Sequence, residues 1–152
     1  MYDTLVFLNT LKENNKINKI KIVTGAIGYG FITWSEKFQK GNHFKNRSIN
    51  RKAAMNYVEK YCDYCYLTEN DNGAEDVVSI CNELSSYLKN VKYEIIIDRE
   101  KAIKKAIVDL QENEALLISG RGNRKILCTG EKSIKIISDY DIARKTIGEL
   151  DG

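Results

Sequence analysis

Proline is absent from all 152 residues, and histidine and tryptophan occur once each. Without proline no turn is set by a rigid ring, so glycine, asparagine and aspartate must make the sharp ones. The single histidine, His43, has no cysteine, serine or carboxylate partner at a recognisable spacing, and it reads as a loop residue rather than a catalytic base. No apolar run reaches the roughly 18 residues that a membrane span needs. Asp3, Lys12 and Glu13 interrupt the first apolar stretch, so no signal peptide is read and a cytoplasmic protein without a membrane partner is expected. Charge of one sign is also lacking: 24 basic and 21 acidic residues leave a net +3. That balance names no partner, and no nucleic-acid partner is expected.

Two further absences concern nucleotides and metals. No GxxxxGK[ST] occurs, so the chain brings no phosphate loop of its own, and GAIGYG at 25–30 does not match the dinucleotide pattern GxGxxG. Of the four cysteines, Cys62 and Cys65 form the close pair, and no second pair answers it. Cys65 lies in the apolar alternation YCYLT, so the reading is buried free thiols with no metal site and no redox dithiol.

What is present fits one α/β domain over 1–152, with 43% hydrophobic residues to build a core. Helices are read at 4–14, 51–61, 74–89, 98–110 and 139–149, and strands at 19–24, 64–68, 93–97 and 115–119. Leu5, Leu8 and Leu11 fall at helical spacing in the first helix, and Val77, Val78, Cys81, Leu84 and Leu88 in the third. Asp98 is placed as the N-cap of the helix carrying Ala102, Ile103, Ala106, Ile107 and Leu110. Strands separated by helices of this length predict a mostly parallel sheet covered on both faces, with Val23, Leu67, Ile96 and Ile118 on adjacent buried strands. A hairpin over 126–137, turning at Gly130, is read as an antiparallel edge of that sheet.

The segment EALLISGRGNR, 114–124, runs a buried strand into a glycine–arginine–glycine turn. Open α/β sheets bind ligands beyond the carboxyl ends of such strands. Gly120 and Gly122 permit close backbone approach, and Arg121 and Arg124 add fixed positive charge. A plain connection explains the same residues equally well from spacing alone. The stretch 25–50 has no clean period, and its basic part at 37–52, beside Phe38 and Phe44, would suit nucleic-acid phosphates, a phosphorylated small molecule or plain solvent.

The order of these pieces resembles the C-terminal domain of the Mur ligases, the ATP-dependent amide-forming enzymes of peptidoglycan synthesis, and most closely the branch that adds the third residue to the UDP-N-acetylmuramoyl peptide. Asp3-Thr-Leu-Val-Phe-Leu-Asn-Thr-Leu-Lys looks like the helix that opens that domain. Asn46-Arg-Ser-Ile-Asn-Arg-Lys-Ala-Ala-Met is similar, without gaps, to the family's DRDKGKRPLM. Leu67-Thr-Glu-Asn-Asp-Asn-Gly-Ala-Glu-Asp looks like its DNP segment, Ser119-Gly-Arg-Gly-Asn-Arg like its GKGHE turn, and Ile137-Ser-Asp-Tyr-Asp-Ile-Ala-Arg like its closing SDREVAR element.

The resemblance implies a Rossmann-like three-layer sandwich that holds the incoming amino acid while ATP and Mg2+, bound mainly by a central domain, activate a carboxylate of a UDP-N-acetylmuramoyl dipeptide held by an N-terminal domain. Neither of those domains is in this sequence, so the chain looks like an excised domain or a natural fragment, with no catalytic residue of its own. Substrate-binding roles are implied for Arg47, which would grip the amino acid's carboxylate, for Asp71 and Asn72 of the DNP segment, and for Gly120, Arg121, Asn123 and Arg124 of the turn. There are departures from the pattern. Ala74 follows the DNP segment as in the lysine-adding type, Gly73 and Ala53 stand where the family has proline, and residues 29–45 have no counterpart. Arg124 replaces a glutamate that holds a distal ammonium and is expected to repel a basic side chain. A domain of a related amide ligase, of the folylpolyglutamate or cyanophycin kind, and a non-catalytic ligand-binding paralogue remain alternatives.

Overall fold

The structure is a computed structural model that describes residues 1–28, 40–130 and 132–152, with the side chains of 40–47 outside that description. Among these residues the chain runs α1 (Tyr2–Glu13), β1 (Lys19–Thr24), α2 (Lys40–Tyr61), β2 (Tyr64–Leu67), α3 (Val77–Ser86), β3 (Lys92–Ile95), α4 (Arg99–Val108), β4 (Glu114–Ile118), β5 (Ile126–Thr129), β6 (Lys132–Lys135) and α5 (Asp139–Asp151). The first four strands form one parallel sheet in the order β3-β2-β1-β4, with Val23 opposite Tyr66 on one side and Ile118 on the other.

The alternation of side chains along a strand sorts β1 and β2 onto two cores. Ile20, Ile22, Cys65 and Leu67 pack with Leu5 of α1, Met55 and Val58 of α2 and Ile80, Cys81 and Leu84 of α3. On the opposite face, Val23 and Tyr66 pack with Ala102, Ile103, Ala106 and Ile107 of α4 and Ile142 of α5. The result is three layers, helices on both faces of a parallel sheet, as the alternation of elements in the sequence predicts. Val23 and Leu67 are fully buried. Ile96 and Ile118 are half-buried, and Ile96 stands one residue beyond the end of β3.

Local chemistry sets the helix starts. Asp76, Asp98 and Ser138 each accept a hydrogen bond from the amide three residues on, from Ser79, Lys101 and Asp141 respectively. Because Asp76 is the cap, α3 begins at Val77 and not at 74. Val78, expected on the apolar side, is 49% exposed, and Ile80, which was not expected there, is buried with Cys81 and Leu84. Helix α2 begins eleven residues before the expected start at 51, through a polar stretch whose sequence carries no apolar stripe.

The hairpin is also placed differently. Strands β5 and β6 pair with each other in a separate two-stranded sheet and not at the edge of the parallel one. Gly120 at φ +135° and Gly122 at φ +54° turn the chain away from the sheet after β4, so β5 starts beyond the carboxyl ends of the strands. There the hairpin docks on the loop after β2: the Gly73 amide donates to the Cys128 carbonyl at 3.2 Å, and the Gly130 amide donates to the Gly73 carbonyl at 2.5 Å.

One buried ion pair ties these parts together. Arg99, 1% exposed, donates through Nε and Nη2 to the two carboxylate oxygens of Asp139 at 2.8 and 2.7 Å. Its remaining donors reach the carbonyls of Glu69 (3.1 Å) and Ser119 (2.8 Å). The starts of α4 and α5 and the loops after β2 and β4 thus meet at one guanidinium. Burial alone would raise the Asp139 carboxyl, but the hydrogen bonds and charge of Arg99 hold it below the usual carboxylate range. Asp139→Ala should cost about 3–5 kcal/mol in urea denaturation, because it leaves a buried guanidinium unpaired. A depressed carboxyl stabilises the fold fully above its unfolded value of about 3.9 and loses that contribution as pH falls through the folded value. The gap between wild type and the alanine variant should accordingly close in acid, and a gap constant down to pH 2 would refute the assignment.

Candidate functional site

The sheet order creates the site. The chain passes from β1 to β2 and β3 on one side, then returns to place β4 on the other side of β1, so connections leave in opposite directions from the carboxyl ends of β1 and β4. A crevice at such a switch point is where open α/β sheets take ligands. Here it is a cleft of about 590 Å³ whose walls include Thr24 and Gly25 after β1, Asn70 after β2, Gly120 after β4, and Arg51 and Met55 of α2.

Close packing of the loops shapes its floor. The Gly25 and Gly28 backbones lie against Thr68 and Asn72 so tightly that a Cβ at either would overlap a carbonyl oxygen. The Gly28 amide donates to the Asp71 carbonyl at 2.8 Å. A Cβ on Gly120 would stand 3.0 Å from Asn70 Nδ2 and 3.1 Å from Arg99 Nη2, so this turn rests on the buried Arg99 cluster.

The residues expected from the sequence fall in three places. Gly120 lines the cleft. Asp71 and Asn72 are buried behind its rim. Asp71 accepts the Cys128 amide on Oδ1 at 3.0 Å and Arg124 Nη2 on Oδ2 at 2.6 Å, while Asn72 Nδ2 donates to the Glu75 carbonyl at 2.7 Å. Arg124, 47% exposed, has its counter-charge in Asp71. Asn123 is exposed.

Arg121 lies away from the cleft. Its side chain is buried beside Glu69, Arg99 and Ile137 in a second cavity of about 330 Å³. Its guanidinium stands 3.9 Å from a Glu69 oxygen, and burial first, then the charge of Arg99, hold it below its ordinary pKa. Arg47 belongs to α2, one turn before the cleft residue Arg51, and its side chain lies outside the described residues, as does most of the 29–45 insertion.

Several site residues escaped the sequence. Arg51 and Asn70 stand in the sequence only as members of motif stretches, Arg51 also at a helix start, with no role of their own. Arg99 had one available signal, a cation in the first turn of a helix, where the dipole disfavours it. The cysteines match the reading of free thiols. Burial pushes Cys62 up to about 12 and Cys81 up to about 11, and Cys65 well above its ordinary value. Burial thus disfavours the thiolate form of these three, Cys62, Cys65 and Cys81.

No family model matches the chain. Curated relatives do. It is 36% identical over 144 residues to a UDP-N-acetylmuramoyl-L-alanyl-D-glutamate–L-lysine ligase of Streptococcus thermophilus, a match that covers 94% of this chain and 27% of that protein. It is 29% identical over 148 residues to a UDP-N-acetylmuramyl-tripeptide synthetase of Limosilactobacillus reuteri, covering 93% of this chain and 25% of that protein. A similar enzyme of Ligilactobacillus salivarius is 35% identical over 108 residues, covering 69% of this chain and 21% of that protein. The chain thus spans 21–27% of the length of these relatives. Among solved structures, that of a UDP-N-acetylmuramoyl-L-alanyl-D-glutamate–2,6-diaminopimelate ligase superposes on the whole chain with a TM-score of 0.75 at 16% identity, using 28% of its own length. The chain belongs to the Mur ligase family and has the fold of that family's C-terminal domain.

Proposed function

We propose that this domain holds the incoming amino acid for an ATP-dependent UDP-N-acetylmuramoyl-peptide ligase, so that its amine meets an activated carboxylate in the synthesis of a peptidoglycan precursor. The observation that carries this reading is the cleft at the switch point between β1 and β4, where Gly25, Asn70 and Gly120 from three loops and Arg51 from a helix converge. Orientation is the chemistry such a cleft can supply. Fixing two reactants in an attack geometry converts a bimolecular step into an effectively unimolecular one, and it requires walls that do not move. The contacts of Asp71 to Gly28, Cys128 and Arg124 provide them.

ATP and Mg2+ are proposed to be held outside this domain, whose sequence has no phosphate loop. Their binding, and that of the UDP-linked dipeptide, is proposed for the remaining domains of the ligase. The part of this chain is binding and orientation. Arg47 is proposed to take the carboxylate of the amino acid, for which a planar guanidinium is suited, and Gly120 to meet the distal end through its backbone. No described helix is long and apolar enough to cross a membrane.

Two measurements test this. Titrating the isotope-labelled chain with L-lysine, meso-diaminopimelate and L-glutamate at millimolar concentrations should shift the amide resonances of Gly25, Asn70 and Gly120 for at least one of them. Shifts confined to other surfaces, or none with any of the three, would overturn the reading. The chain alone, given ATP, Mg2+ and amino acid, should release no phosphate above a heat-killed control, since phosphoryl transfer needs charge stabilisation that positioning groups alone do not supply. Release above that control would contradict the assignment of ATP to other domains.

A further inference from the structure

Arg51 is a buried cation with an unusual set of partners. Only 6% exposed, it lines the cleft and bonds three separate elements around it. Nη2 donates to the carbonyl of Ile27, in the loop after β1, at 3.0 Å and to Glu75 Oε2, in the loop after β2, at 2.7 Å. Nη1 donates to Glu75 Oε1 at 2.9 Å and to Glu83 Oε2 of α3 at 2.5 Å. Ile27 is itself a wall of the cleft, and Glu75 closes the turn that carries Asp71 and Asn72 through its amide bond to the Asn72 carbonyl, 3.0 Å.

We infer that Arg51 is a positioning residue for the cleft, holding the loops after β1 and β2 at a fixed separation from α2 and thereby setting its aperture for the amino acid. The inference rests on the reading of this cleft as the amino-acid site. A planar fork with donors fixed in one plane can reach acceptors on three elements together, whereas the single ammonium of a lysine carries the same charge without that geometry. A purely structural role for Arg51 would stabilise the fold without a preference for the cleft. The two roles differ in what moves when the fork is removed.

The test compares Arg51→Lys with Glu59→Ala. Glu59 lies two turns further along α2 and accepts the amides of Lys89, Asn90 and Val91, far from the cleft, so its loss is a stability control on the same helix. In the 152-residue chain, Arg51→Lys should weaken the amino acid that binds by about tenfold or more, the scale of a lost hydrogen bond to a charged group. It should also speed hydrogen exchange at the Gly28 and Glu75 amides while Ser119, which bonds the Val23 carbonyl, stays protected. Glu59→Ala should leave both readings unchanged. Affinity within twofold of wild type in Arg51→Lys, exchange that rises evenly over the sheet, or equal weakening by Glu59→Ala would each overturn the inference. If the wild-type chain binds no amino acid, the amino-acid reading falls, and the exchange pattern alone still decides whether Arg51 holds the loops.

Discussion

The Arg99–Asp139 pair is the contact on which the upper end of the molecule depends. A parallel sheet leaves its carboxyl-end loops without a ladder to hold them, and in this protein a single buried guanidinium gathers the loops after β2 and β4 with the starts of α4 and α5. Both charges are nearly removed from water, so each depends on the other for solvation. The Gly120 backbone lies directly over this cluster. The turn that lines the cleft is thus supported from beneath by a buried ion pair.

A second guanidinium does comparable work on the other side of the cleft. Arg51 binds two carboxylates, Glu75 and Glu83, and their hydrogen bonds hold it strongly protonated against the opposing effect of burial. Asp71 completes the arrangement by joining the loop after β1, the hairpin and Arg124. Among the described residues, Arg51, Glu75, Glu83, Asp71 and Arg124 are thus spent on one another.

How much of this was legible in the sequence follows from which physical signals are local. Apolar alternation in KIKIVT and YCYLT and the cap at Asp98 act over a few residues and are legible in the sequence, whereas the caps at Asp76 and Ser138 are findings of the structure. The first half of α2 has no apolar stripe to mark it, so tertiary context rather than pattern extends that helix. The motifs resembling the Mur ligases located the turn at Gly120 and the segment at Asp71. They did not show that Arg124 would close on Asp71, nor that Arg121 would be buried away from the cleft, because those outcomes depend on neighbours fifty or so residues distant in sequence. Arg51, Asn70 and Arg99 were missed for the same reason: each is identified by what it touches.

The hairpin shares no ladder with the four-stranded sheet. A change in its length or in the residues of its turn at Gly130 therefore does not slip the register of β1 through β4, since among the described residues no strand pairing joins the two sheets. It can reach the cleft by one short route, the Cys128 amide on Asp71 and the bonds between Gly73 and the hairpin backbone. Leu127 apart, which is 4% exposed, the hairpin is thus a module whose variation leaves the parallel sheet's pairing alone and is delivered to the wall of the cleft.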